Sequence, residues 1–216
     1  RLELDVATAG TSGGFDDRLR RRRARRLSAR TLPEAPQVVE AAAASHEPGE
    51  QLLVLHTLGN HGPSYFRRYP ASFKRFQPAC ESAQLTDCSS AKIINAYDNA
   101  VLYTDHVLAS IVRYLEAQTD RNAGLIYLSD HGESLGEAGL YLHGLPWRIA
   151  PATQKEVPMV TWLSAGLRDS AGLDDACLRE GTRGDVSHDH LFHSVLGLMG
   201  VEAAIREPAL DIFSRC

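Results

Sequence analysis

GLIYLSDHGES, residues 124–134, is an apolar run that passes directly into polar residues and glycine. A short run that is apolar on both faces is typical of a strand buried on both sides, as in a parallel sheet. Two further runs have the same character, QLLVLHT at residues 51–57 and VPMVTWL at residues 157–163. The three runs predict strands of one sheet.

Two helices are predicted around these strands. Ser90 is suited to cap the start of the first helix, and Asn122 and Gly124 are suited to end it. The residues of its predicted buried face recur at helical spacing and are Ile94, Tyr97, Val101, Leu108, Ile111, Val112 and Leu115. The second helix is predicted from near Ser187 to Gly200. This alternation predicts an α/β sandwich built on a largely parallel sheet.

Composition limits the function classes. The 216 residues are enough for one domain, and 44% hydrophobic with 23% charged residues is ordinary for a globular protein. A net charge of −4 gives no electrostatic basis for nucleic-acid binding. No run approaches the roughly 18 consecutive apolar residues that cross a bilayer. We therefore expect neither a nucleic-acid partner nor a membrane span within this sequence.

Residues 1–50 differ in composition from residues 51–216, and we place the domain boundary between the two segments. The first segment holds an alanine tract at Ala41–Ala44 and a dense arginine run made of Arg18, Arg20, Arg21, Arg22, Arg23, Arg25 and Arg26. Such a run could bind anionic lipid headgroups or nucleic acid. No aromatic residues are interleaved and no amphipathic face forms, so an atypical, partly disordered or divergent arm without a function is the preferred interpretation.

Polar residues follow the first two strands, at the edge where α/β sheets bind ligands. His61 follows the first strand, and Asp130 and His131 directly follow the second. His143 lies in a further glycine-rich loop. A carboxylate oxygen beside imidazole nitrogens suits zinc. The four side chains predict a metal or phosphate site at this edge.

The neighbouring acid and the remaining histidines have simpler interpretations. Glu133 is expected to organise the loop next to His131 rather than to act as a general base. Four of the other histidines are expected to cap helices, face solvent or form core hydrogen bonds, and these are His106, His188, His190 and His193.

Four motifs in order resemble the lipid A phosphoethanolamine transferases, a family that includes colistin-resistance enzymes. The motifs are LHTLGNHGPSY at residues 55–65, NAYDN at 95–99, SDHGESLGE at 129–137 and YLHG at 141–144. The likeness runs from about residue 51 to the C-terminus. It implies an alkaline-phosphatase-like α/β/α sandwich, of which this chain would hold the C-terminal part.

The resemblance also implies a zinc site. It assigns Asp130 and His131 to the catalytic Zn²⁺, and His61 and His143 to the substrate or to a second zinc. The family's other zinc ligands, a glutamate and the threonine nucleophile, precede the matched stretch, and no catalytic nucleophile is identified in this sequence. We therefore expect the 216-residue polypeptide to be inactive alone.

The cysteines bear on the compartment. The resemblance pairs Cys80 with Cys88 in a disulfide, which fits an oxidising periplasm, whereas the residues alone leave two free thiols open as the alternative. Cys177 and Cys216 have no assigned partner.

The leading hypothesis is an enzyme that transfers phosphoethanolamine from phosphatidylethanolamine to a phosphate of lipid A or a related glycan. It would work at the periplasmic face of the bacterial inner membrane, in contact with the bilayer through an N-terminal region that this sequence does not contain. One alternative is a non-catalytic remnant that binds zinc or phosphate. Others are a phosphoglycerol transferase and a sulfatase-like hydrolase, although the Cys/Ser-x-Pro-x-Arg motif of sulfatases is absent.

Overall fold

The computed structural model describes residues 4–10, 25–27, 34–44, 49–181 and 186–216. Its strands are β1 (Leu4–Gly10), β2 (Arg25–Leu27), β3 (Gln51–His56), β4 (Gly124–Leu128), β5 (Ser134–Leu135), β6 (Tyr141–Leu142) and β7 (Met159–Leu163). Its helices are α1 (Glu34–Ala44), α2 (Ser90–Glu116), α3 (Ala152–Lys155), α4 (Ala165–Ala171), α5 (Asp175–Gly181) and α6 (Asp189–Leu198). Most of the arginine run, residues 18–23, lies outside the described residues, so the expected arm stays a prediction.

The predicted strands form where the apolar runs lie, but their pairing differs from the prediction. The described strands make three small sheets, ordered β2-β1-β3, β4-β7 and β5-β6. β1 is antiparallel to both β2 and β3, and β5 is antiparallel to β6. Of the three predicted strands, β4 and β7 are neighbours in one sheet, whereas β3 pairs with β1 in another, so the three runs do not form a single sheet among the described residues. Burial on both faces was also predicted and is incomplete, because Val54 of β3 is 49% exposed and Val160 of β7 is 47% exposed.

Helix α2 begins at Ser90 as predicted and ends at Glu116, earlier than expected. Its buried face is offset from the prediction and consists of Ile93, Ala96, Asn99, Ala100, Tyr103, Val107 and Ile111. Ile94 and Val101, which were predicted to be buried, are each 42% exposed. Ile93 and Ile94 are both large and apolar, and taking Ile94 as the start of the buried face rotated the predicted face by about one residue. Within the described residues, no helix combines the length and apolarity needed to cross a bilayer.

The chain divides into two compact units, and the first comprises the described residues up to Tyr114 together with Tyr127–Met159. Its core contains Tyr65, Cys80, Ile93 and Ala96, all nearly inaccessible to solvent. A disulfide joins Cys80 to Cys88 and confirms the pairing that the resemblance implied. The Cys80 amide donates to the Lys92 carbonyl over 2.8 Å, which ties this loop to α2.

Buried Asn99 holds a second part of the same loop against α2. Its Oδ1 accepts from the amides of Arg75 and Phe76 at 2.7 and 2.8 Å, and its Nδ2 donates to the Phe76 carbonyl at 3.0 Å. An amide side chain that satisfies three backbone groups leaves little polar surface unpaired in the core.

The second unit, Leu115–Ile126 with Val160–Cys216, contains α4, α5 and α6. Ser164 caps α4 by accepting from the Leu167 amide at 3.2 Å. In α6, buried His193 accepts from the Glu207 amide through Nδ1 at 2.8 Å, the core role expected of it. A disulfide between Cys177 and Cys216, which the sequence left unassigned, fastens the C-terminal residue to α5.

Candidate functional site

The hairpin of β5 and β6 brings His143 close to His131, which follows the end of β4. β5 and β6 pair antiparallel with Ser134 opposite Leu142, so His143 lies beside Glu133. The connecting turn contains Gly136 at φ 124° and Gly139 at φ 77°, backbone conformations that glycine adopts without strain. The hairpin therefore brings together residues ten positions apart.

Three histidines meet at this place. One ligand atom of each of His61, His131 and His143 lies within 4.8 Å of the others. The rings of His131 and His143 are stacked with centroids 3.7 Å apart, and the His61 ring stands edge-on to His143 at 4.9 Å. Of the residues the structure describes, these are the ones that form such a group.

In all three rings Nδ1 lies within hydrogen-bond distance of an oxygen atom. Nδ1 of His61 lies 2.7 Å from the Gly62 carbonyl oxygen, and Nδ1 of His131 lies 3.0 Å from that of Gly132. Nδ1 of His143 lies 2.9 Å from Oε1 of Glu133. Carbonyl and carboxylate oxygens accept, so in the neutral form of each ring Nδ1 carries the proton and Nε2 has the free lone pair. Rings held in this way are prepared to bind a divalent cation.

Buried Glu133 connects three segments of the chain at the site. Besides His143, its carboxylate accepts from the Tyr65 hydroxyl at 2.8 Å and from the Gly62 amide at 3.4 Å. Burial, and then the Glu133 carboxylate, raises the pKa of the Tyr65 phenol, which stays a donor. These contacts are those of the loop-organising residue that the sequence suggested.

Asp130 lies at the rim of the histidine group. Its side chain is 83% exposed, and Oδ1 is 3.8 Å from Nε2 of His131. The same oxygen accepts from the His131 backbone amide at 3.1 Å. Asp130 is thus adjacent to the three imidazoles without belonging to the group that the distances define.

Arg68 is a polar neighbour that the sequence prediction missed. Its Nε donates to the His61 carbonyl oxygen at 2.8 Å. Burial, and then the like charge of Arg67, lowers the pKa of its guanidinium. The described residues show no ion pair for this side chain, so its two terminal nitrogens are suited to an anion. Tyr65 was missed likewise, although both residues follow His61 within seven positions.

Comparison with known proteins adds a family match. A model of the family described as Sulfatase matches residues 7–201. The chain is 47% identical over 173 residues to phosphoethanolamine transferase EptA of Salmonella typhimurium, covering 79% of this chain and 32% of that protein. It is 46% identical over 114 residues to phosphatidylethanolamine transferase Mcr-1 of Escherichia coli, covering 52% and 21% respectively.

A solved structure agrees with these matches. The soluble domain of lipooligosaccharide phosphoethanolamine transferase A from Neisseria meningitidis superposes with a TM-score of 0.80 at 38% identity, covering 83% of this chain and 54% of that one. This likeness confirms the fold class predicted from the sequence. The chain spans about a fifth to a third of the length of these curated relatives.

Proposed function

The chain belongs to the sulfatase family and is similar to its phosphoethanolamine transferases, and on this premise we propose that it forms part of the catalytic domain of such a transferase. The donor would be phosphatidylethanolamine and the acceptor a phosphate of lipid A or a related glycan. The single observation that carries the proposal is the group of three imidazoles whose Nε2 lone pairs are kept free by the contacts of Nδ1.

Zinc fits this donor set. Imidazole nitrogens with an adjacent carboxylate are common ligands of Zn²⁺, and ligating histidines usually donate their second N–H to a carbonyl or carboxylate. In this proposal Asp130 and His131 hold the catalytic zinc, while His61 and His143 contact the substrate or hold a second zinc. When bound, zinc supplies a Lewis acid that stabilises the charge of a transferred phosphoryl group.

The surrounding residues have positioning roles in the proposal. Glu133 fixes the ring of His143, and it does so from a buried position where its own orientation is held by Tyr65. Arg68 is fixed through Nε, which leaves the end of its guanidinium to face a phosphate of the donor or the acceptor. Both arrangements exist before any ligand arrives, which reduces the ordering cost of binding.

The two disulfides support a location in an oxidising compartment, and we propose the periplasmic face of the inner membrane. We also propose that this polypeptide on its own binds zinc but does not transfer, because no residue of the described site has the role of the threonine nucleophile. The assay is release of diacylglycerol from fluorescent phosphatidylethanolamine. Release that disappears in Asp130→Ala or His131→Ala would contradict this expectation.

Zinc binding tests the central proposal directly. Calorimetric titration of the metal-free chain should show zinc binding that is weakened at least about tenfold in His61→Ala, His131→Ala and His143→Ala. His106→Ala is the matched control, because His106 is an exposed histidine of α2 outside the group. Equal affinity in all five proteins would refute the zinc site.

A further inference from the structure

The loop at residues 144–151 presents two large apolar side chains to solvent. Trp147 is 73% exposed and Ile149 is 67% exposed. The loop has a defined turn, because the amides of Ile149 and Ala150 both donate to the Pro146 carbonyl, at 2.9 and 3.0 Å. Buried Ala150 anchors the turn from within. The two exposed side chains therefore project from an ordered tip.

Both ends of this loop are attached to the residues of the histidine site. It begins directly after His143, whose ring is held by Glu133. At its far end the Gln154 carbonyl accepts from the Gly132 amide at 3.1 Å, and the Gln154 side chain donates to Oγ of Ser134 at 2.9 Å. The position of the apolar tip is thus tied to that of the histidines.

The charged side chains beside Trp147 and Ile149 are basic. Arg148 lies between the two apolar residues, and the Lys155 ammonium lies 5.4 Å from the centroid of the Trp147 ring. Neither cation forms an ion pair with a residue that the structure describes, and Glu156 is the nearest acid in sequence. An indole beside basic side chains is typical of the interface between a bilayer and water, where apolar groups enter the headgroup layer and cations contact phosphates.

We propose that the loop at residues 144–151 docks on a phospholipid surface and holds the histidine site at the level of the lipid headgroups. This inference rests on the proposed function, since a lipid donor and a lipid acceptor explain why an apolar tip should accompany the site. Trp147 and Ile149 enter the headgroup layer in this arrangement. Arg148 and Lys155 contact lipid phosphates.

The experiment uses the full chain carrying Trp162→Phe, so that Trp147 is its sole tryptophan. Vesicles of phosphatidylethanolamine and phosphatidylglycerol should shift the indole emission to the blue and should sediment the protein. Adding Trp147→Ser and Ile149→Ser should weaken sedimentation at least about tenfold, because the two largest apolar contacts are lost. Ile205→Ser is the matched control, since Ile205 is 68% exposed and lies outside the loop.

Two further measurements separate the alternatives. Arg148→Gln with Lys155→Gln should weaken binding to the anionic vesicles and leave binding to vesicles of phosphatidylcholine unchanged. Equal sedimentation of the double serine variant and the Ile205→Ser control would overturn the proposal. A blue shift that occurs without lipid and grows with protein concentration would also overturn it, because the loop would then be contacting a second copy of the chain. Zinc titration of the same variants tests the histidine site independently, because vesicle binding without zinc binding would refute only the proposed function.

Discussion

Replacing Glu133 should weaken zinc binding without touching any proposed zinc ligand. The carboxylate accepts three hydrogen bonds, from His143, Tyr65 and the Gly62 amide. In Glu133→Ala the proton of His143 Nδ1 loses its acceptor, so neither the tautomer nor the orientation of the ring is fixed. Loss of such a partner typically lowers metal affinity about 10–100-fold, and we expect Glu133→Ala near the upper end.

Glu133→Gln should be milder, for a reason that the contacts supply. The amide can keep its oxygen toward His143 and turn its NH₂ toward the Tyr65 hydroxyl, which can also accept. The charge is lost and the Tyr65 proton no longer has its carboxylate acceptor, but His143 and the Gly62 amide keep theirs on the remaining oxygen, so the loss of zinc affinity should be about tenfold, or about 1.4 kcal/mol. In metal-free protein, Glu133→Ala should also cost about 1–3 kcal/mol of unfolding free energy, because the Tyr65 hydroxyl is left buried without an acceptor.

The assay pairs calorimetric zinc titration with urea unfolding in the presence of a chelator. Glu137→Gln is the control, since Glu137 is an exposed acid of the same hairpin whose carboxylate accepts from the Leu135 amide at 2.7 Å. If Glu133→Ala binds zinc as tightly as the unaltered chain while His143→Ala binds it weakly, Glu133 does not position the ring. Equal unfolding free energies for Glu133→Ala and Glu133→Gln would refute the role assigned to Tyr65.

Three other outcomes are expected. Replacing Cys80 and Cys88 together by serine should lower the unfolding free energy by about 2–3 kcal/mol through loss of loop closure, and non-reduced peptide mass spectrometry showing both thiols free after periplasmic expression would contradict the bond. The pKa of Tyr65 is higher in the folded protein than in the unfolded chain, where it is about 10. Its contribution to the unfolding free energy is therefore complete below about pH 10 and is lost as the pH rises further. In Tyr65→Phe, the unfolding free energy measured in urea should depend less on pH between about 9 and 11. Arg68→Gln should weaken calorimetric binding of phosphoethanolamine about tenfold and leave zinc affinity unchanged, and an equal fall in zinc affinity would indicate a purely structural role.

Much of the fold could be predicted because local signals and tertiary structure agree. The runs at residues 51–57 and 124–129 form strands, and α2 begins at the residue chosen as its start. The buried face of α2 was predicted with an offset in helical phase, because apolar residues such as Ile93 and Ile94 stand side by side in the sequence and do not by themselves say which is buried. Ile94 faces outward while Ile93 is inaccessible, so tertiary packing determines which side is buried.

The candidate site was partly predictable for a different reason. Histidines that follow separate strands reach the same region, and His61, His131 and His143 do meet. Their hydrogen-bond partners were not predictable in detail, because carbonyl acceptors leave no mark in sequence. The hairpin of β5 and β6 was missed too, since two-residue strands show no periodicity. The pairing of Cys177 with Cys216 spans 39 positions and depends on tertiary contacts alone.

Residues 131–134 contact both the histidine group and the segment that follows the loop at residues 144–151. The odd-numbered members face the histidine group, His131 as a member and Glu133 as the support of His143. The even-numbered members face α3, which directly follows the loop at residues 144–151, where the Gly132 amide and Ser134 both bond to Gln154. Glycine is required at position 132, because a Cβ there would collide with the backbone carbonyl of Thr153. Such alternation is typical of extended chain, and it lets one four-residue stretch hold the histidine group on one side and the end of the loop at residues 144–151 on the other.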